Sequence, residues 1–148
     1  MKIRYKIRYK IRYIFCLLVC FFLMQPIPGL TEVVVVVHPS NTSSFSDKDL
    51  KKIFLAKTKT FPSGDGVVAL DHRSGSEIRK KFVGVVLEKT EKQLKSYWCR
   101  LIFTGKALPP RQISSDVEVR ELISNNPSYI GYINADSLDD TVRAVKTL

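Results

Sequence analysis

Asp71-His72-Arg73-Ser74-Gly75-Ser76 sets a carboxylate, an imidazole, a guanidinium and two hydroxyls around one glycine. Before it, Val67-Val68-Ala69-Leu70 is apolar and reads as a buried strand. After it, Ile78, Phe82, Val85 and Val86 recur at helical spacing between Glu77 and Leu87. A helix that opens directly after a strand leaves its first backbone N–H groups unbonded and holds a partial positive charge at that end. Arg73, Ser74, Gly75 and Ser76 at such a mouth make a seat for an oxyanion. The same letters admit a plainer reading. Ser74 and Glu77 spell a capping box, worth ~0.5–2 kcal/mol to the helix, and Arg73 is then a solvated charge.

Other chemistries fit the residue types less well. Asp71, His72 and Ser74 include the members of a hydrolase triad, but neighbours on one short turn rarely converge as nucleophile, base and orienter. No catalytic residues are therefore assigned, and the chain reads as a binder and not an enzyme. His38, His72 and Cys99 lack metal-ligand spacing, and there is no glycine-rich nucleotide loop, so neither metal nor cofactor is expected. Lys51-Lys52 and Lys80-Lys81 read as solvated helix faces.

The formal charge of +10 points to nucleic acid only until it is located. Six of the 24 Lys and Arg fall within the first twelve residues, so the other 18 face 14 Asp and Glu and the balance drops to +4. No aromatic residues interleave with a basic stripe, and a nucleic-acid partner is not expected. The basic start is Lys2-Ile3-Arg4-Tyr5, repeated twice more to Tyr13. Ile14 to Met24 is then continuously apolar, and Gln25-Pro26-Ile27-Pro28-Gly29 ends the run. This order describes a secretory signal over residues 1–30, and the run is short of the ~20 apolar residues of a membrane span. An uncleaved anchor or a lipoprotein attached through Cys20 is the alternative. A cleaved signal predicts a periplasmic protein. Cys16 and Cys20 would leave with the signal, so Cys99 has no internal disulfide partner; it reads as a small buried core residue.

Residues 31–148 suffice for one core and one domain. Val33 to Val37 is an unbroken β-branched run, the mark of a strand buried on both faces, as in a parallel sheet. Ser46 with Asp49, Thr90 with Gln93 and Ser115 with Glu118 are capping boxes that start three further helices. Leu50, Ile53 and Phe54 share a face of the first. Leu94, Tyr97, Trp98, Leu101 and Ile102 form the stripe of the second, which Pro109-Pro110 forbids to continue. Tyr129 to Ile133 reads as a strand with Gly131 where the backbone bends or is approached closely, and 141–148 is strand or short helix. Alternating strands and helices imply an α/β fold: a single three-layer lobe, its sheet mostly parallel, with helices on both faces. Ligands of such sheets sit beyond the carboxyl ends of the strands. That expectation gathers His38–Ser44, Asp71–Ser76 and Asn134–Ser137 on one rim, with Ser40, Asn41 and Thr42 as supplementary donors to the anion.

The chain also resembles the phosphate-type substrate-binding proteins of ABC transporters, the type II periplasmic binding proteins. The residues that carry this are Asp49-Leu50-Lys51-Lys52-Ile53-Phe54-Leu55-Ala56-Lys57 with Phe61-Pro62, and the strand leading to Arg73-Ser74-Gly75-Ser76 and Phe82. Tyr97-Trp98 with Ile102 to Lys106 and Pro109-Pro110, and Asn126-Pro127 with Ile130-Gly131-Tyr132, complete it. The family closes two lobes on its anion; this chain is long enough for one, and looks like the small single-lobe variants. The resemblance implies a phosphate or similar oxyanion held by Arg73, Ser74, Gly75 and Ser76. The family's motif has a short spacer after its arginine and a threonine where Ser76 stands; here the spacer is absent. An ABC permease is the implied partner. The alternative is a scaffold that docks on a membrane sensor or partner protein, and self-association would rebuild a closed cleft.

Overall fold

All five valines of strand β1, Val33–Val37, are buried, because alternate side chains enter two different cores. Val33, Val35 and Val37 pack with Leu50, Phe54, Phe82 and Trp98, whereas Val34 and Val36 pack with Leu70, Val119 and Ile123. Burying a branched side chain of this size contributes ~1.5–3 kcal/mol, so this one strand ties the two layers together. The structure, a computed structural model, describes residues 32–148. The expected export signal, with Cys16 and Cys20, lies outside the described residues.

After β1 come helix α1 (Asp47–Phe54), strand β2 (Val68–His72), helices α2 (Glu77–Val85) and α3 (Glu91–Phe103), strand β3 (Arg111–Ile113), helix α4 (Asp116–Asn125), strand β4 (Tyr129–Asn134), a 3-10 turn (Ala135–Ser137) and strand β5 (Arg143–Thr147). Helices α1, α2 and α3 supply the first core and α4 the second, so helices cover both faces of the sheet. The local start signals act as read. Ser46 Oγ accepts from the Asp49 amide at 3.2 Å, and the Ser46 amide donates to Asp49 Oδ2 at 3.1 Å. Thr90 and Gln93 reciprocate in the same way at 3.2 and 2.9 Å. At α4 Ser115 caps the Glu118 amide, but the Glu118 carboxylate turns to the amide and hydroxyl of Ser114 instead.

The strand order is β3-β2-β4-β1-β5. β2 runs parallel to β3 and β4, but β1 runs antiparallel to both β4 and β5. The sheet is thus only partly parallel, a correction to the expectation of a mostly parallel one. The valine run reports burial on both faces, and a central antiparallel strand under two helix layers meets that condition equally well. Direction also decides where the loops lie. Val37 pairs with Ile130, near the start of β4, and Val33 pairs with Asn134 at its end. The His38–Ser44 loop therefore leaves at the rim where β2 and β4 begin. Asp71–Ser76 and Asn134–Ser137 lie at the opposite rim, so two of the three expected loops share an end and the third does not.

Smaller departures have local causes. Arg111–Ile113 is a strand too short to show in any pattern, and 141–148 resolves as β5, with a register shift against β1 between Val35 and Val36. In α2 the buried residues are Arg79, Phe82 and Val83, while Val85 is exposed. Cys99 is exposed and not a core residue, because α3 turns Leu94 and Trp98 inward. Gly131 is required by packing: a Cβ there would lie 2.8 Å from Val119 Cγ1 and 3.3 Å from Ile123 Cδ1, so α4 approaches β4 closer than any side chain permits. No helix among the described residues is long and apolar enough to cross a membrane.

Candidate anion-binding site

The turn between β2 and α2 is held by its own backbone. Ser76 N donates to Arg73 O at 3.2 Å and Ser76 Oγ donates to the same carbonyl at 2.9 Å. Gly75 sits at φ +87°, a left-handed conformation that costs glycine little and a side chain more. Ser76, not Ser74, is the N-cap residue of α2, and no side chain caps the helix. The expected Ser74–Glu77 capping box does not form. Ser76 Oγ is spent on the turn, Ser74 Oγ accepts from Arg79 Nη1 at 3.4 Å, and Glu77 reaches outward to Lys80 at 2.6 Å. The first amides of α2 are consequently left for solvent or a ligand. Arg73, Ser74 and Gly75 are exposed and Ser76 is half-buried. The Ser114 hydroxyl and amide, then Arg111 and last Arg73, hold the Glu118 carboxylate below its ordinary range, and Arg73 forms no ion pair among the described residues.

Beneath this turn lies a charged cluster that sequence reading did not find. Arg79 is buried; its Nε donates to Asp71 Oδ2 at 2.8 Å, and its Nη1 donates to Glu91 Oε2. Burial works against the guanidinium's charge, but Asp71 and then Glu91 outweigh it and Arg79 is held more firmly charged than usual. The other Asp71 oxygen, Oδ1, accepts from the Tyr132 hydroxyl. That hydroxyl in turn accepts from the His72 amide at 3.3 Å. His72 Nε2 donates to the Tyr132 carbonyl at 2.8 Å and lies 3.5 Å from Asp116 Oδ1. The β2–β4 ladder itself pairs only Val68 with Tyr129 and Ala69 with Ile130. Beyond that point, side chains of Asp71, His72 and Tyr132 join the two strands. Asp116 extends the network to the neighbouring loop, accepting from the Asn134 amide at 3.0 Å and from Asn134 Nδ2 at 2.8 Å. The network fixes the floor under Arg73–Ser76. Its signal in the sequence was Arg79, a charge on the inward face of α2 beside Phe82, which only knowledge of Asp71 and Glu91 as partners would have explained.

Ser40, Asn41 and Thr42 are not part of this constellation. They line a separate cavity of about 250 Å³ with Ser63, Asp65 and Ser128 at the other rim of the sheet. Asn41 Oδ1 accepts from the Ser43 amide at 3.0 Å, and Ser40 Oγ is 2.7 Å from His38 Nδ1, so two of the three serve their own loop. No group of His, Cys, Asp or Glu among the described residues is arranged to hold a metal ion.

No family model and no curated protein matches the chain. Solved structures do. An ABC-type phosphate transport receptor from Vibrio cholerae superposes with a TM-score of 0.61 at 14% identity, covering 80% of this chain and 50% of the receptor. A provisionally assigned phosphate ABC transporter substrate-binding protein from Clostridium perfringens, solved with bound phosphate, gives 0.61 at 21% identity over 77% of this chain and 44% of its own. The PstS protein of Borrelia burgdorferi gives 0.57 at 16% identity, with 77% and 46% covered. The likeness is one of fold: the α/β lobe of this chain is shared with these three structures. The chain spans half the length, or less, of these structures. The periplasmic-binding-protein-like architecture expected from the resemblance is therefore present, with β1 reversed relative to that expectation.

Proposed function

We propose that the protein binds phosphate or a closely similar oxyanion at the Arg73–Ser76 turn and serves an ABC transporter as an exported, periplasmic binding component. The observation that carries this reading is the uncapped start of α2, with Arg73 unpaired beside it, on a fold shared with phosphate receptors. Arg73 supplies the charge, and the Ser74 hydroxyl, the Ser74 and Gly75 amides and the first α2 amides supply donors, while Ser76, whose amide and hydroxyl both donate to the Arg73 carbonyl, shapes the turn. The role is binding and release, with no covalent chemistry. Ser40, Asn41 and Thr42 are left out of the site. Isothermal calorimetry with inorganic phosphate tests the proposal. Saturable heat that disappears in Arg73→Ala supports it; no heat up to millimolar phosphate rejects it.

A second reading has its own observation. Phe103 is 92% exposed and Leu108 74% exposed, the two most exposed large apolar side chains among the described residues, both in or just after the end of α3. Exposed apolar side chains of this size suit contact with another protein, whether a permease, a membrane sensor or a second copy. Sedimentation of the wild type and of Phe103→Ser, alone and with envelope extract, separates this reading from a solitary binder.

A further inference from the structure

One residue of the turn, Ser74, also lines a longer space. A groove of about 500 Å³ starts at Ser74 and continues along α3 to Pro109 and Pro110. Glu91, Lys95, Trp98 and Ile102 line it from successive turns of one face of α3. At 1.5 Å per residue that wall extends for roughly 16 Å, several times the width of a bare oxyanion.

The lining changes character from end to end. Near Ser74 stand Asp71, Arg79, Glu91 and Lys92; at the far end stand Trp98, Ile102 and the two prolines. The charges at the near end are not equivalent. Arg79 is already shared between Asp71 and Glu91. Lys92 and Lys95 form no ion pair among the described residues; with Arg79 they set three positive charges against the two carboxylates of Asp71 and Glu91, so the charged part of the lining is cationic by one. At the far end Ile102 is 49% exposed, apolar surface that a ligand would cover.

We infer that this groove seats the apolar body of a phosphomonoester whose phosphate rests at the Arg73–Ser76 turn, flanked by Lys92 and Lys95. The ligand class is an organic phosphate carrying an aromatic ring or an apolar group of similar size. The inference rests on the anion reading above for the position of the phosphate, and on the groove alone for the body.

Phenyl phosphate is the probe, with inorganic phosphate as its control, on the full chain. Trp98 is the single tryptophan and Cys99, also on the groove, is exposed, so both report occupancy. The expected result is about tenfold tighter binding of phenyl phosphate than of inorganic phosphate. A shift in Trp98 emission and slower alkylation of Cys99, read by peptide mass, should accompany it. Ile102→Asp, at a half-exposed site, should remove the gain and leave inorganic phosphate binding unchanged. Equal affinities without protection of Cys99 overturn the groove and leave the anion reading intact. Protection of Cys99 that persists in Arg73→Ala, with inorganic phosphate never bound, upholds the groove and removes the turn as the anion's seat. Failure of both ligands to bind overturns both.

Discussion

The Tyr132 hydroxyl donates to the Asp71 carboxylate across 61 residues of sequence, and this bond joins β4 to β2 where their backbone ladder has already ended. The same ring stacks on Phe82 with centroids 3.9 Å apart and planes 1° from parallel. One side chain thus serves the apolar core and the polar floor of the candidate site together. Burial first, and the Asp71 charge second, push the phenol far above its ordinary pKa. A group whose pKa rises on folding stabilises the fold below its unfolded value, ~10 for tyrosine, and that contribution is lost as pH climbs towards the folded value. Stability is expected to fall above about pH 10, by at most ~1.4 kcal/mol per pH unit from this group. Urea titrations of wild type and Tyr132→Phe should show the gap between the two proteins narrowing as the solution becomes alkaline; parallel curves would remove Tyr132 as the cause.

Arg79→Met should be the most damaging single change in the site's floor. It leaves Asp71 buried, and Glu91 partly buried, without their shared cation. Removing one partner of a buried pair costs ~3–5 kcal/mol. Equilibrium denaturation measures this, and adding Asp71→Asn to the same chain should recover part of the loss. A recovery of zero would mean that the uncompensated carboxylate is not the source of the damage.

Gly131→Ala tests the contact between β4 and α4. The new methyl would meet Val119 Cγ1 at 2.8 Å, so one element must give. Overpacking of this kind costs ~1–3 kcal/mol. In a Val119→Ala background the penalty should shrink by at least ~0.5 kcal/mol, as expected for touching residues in a double-mutant cycle.

Arg73→Ala and Ser40→Ala should separate the two rims. Arg73 is exposed and unpaired, so its loss should leave stability within ~0.5 kcal/mol. Phosphate affinity should drop about tenfold or more, since a hydrogen bond to a charged group is worth ~1.5–3 kcal/mol. Ser40→Ala and Thr42→Ala, at the other end of the sheet, should leave that affinity unchanged. A phosphate site that responds to Ser40 and ignores Arg73 would reverse the assignment.

Helix starts were legible because a cap is a local event: Ser46 needs only Asp49, and Thr90 needs only Gln93. The burial of Val33–Val37 was legible for a similar reason, since five β-branched residues leave no polar face. Their direction was not, because the partners Ile130 to Asn134 and Arg143 to Thr147 lie far along the chain. Misjudging that direction carried Ser40, Asn41 and Thr42 to the wrong rim. Ser74 with Glu77 shows the limit of local rules from the other side: the pattern was right for a cap, but Ser76 took the N-cap position and Ser74 turned to Arg79. Arg79, Asp71, Glu91 and Tyr132 make sense only together, and no window of sequence contains all four.

The placement of β1 has a bearing on how the molecule could be taken apart. The first described strand is flanked by the last two, β4 and β5, with five valines filling both layers. A polypeptide without Val33–Val37 would carry a vacant slot one strand wide, bordered by two open hydrogen-bonding edges. Such a slot is a receptacle for a peptide, and the protein is accordingly suited to reconstitution from two pieces, a short valine-rich strand and the remainder.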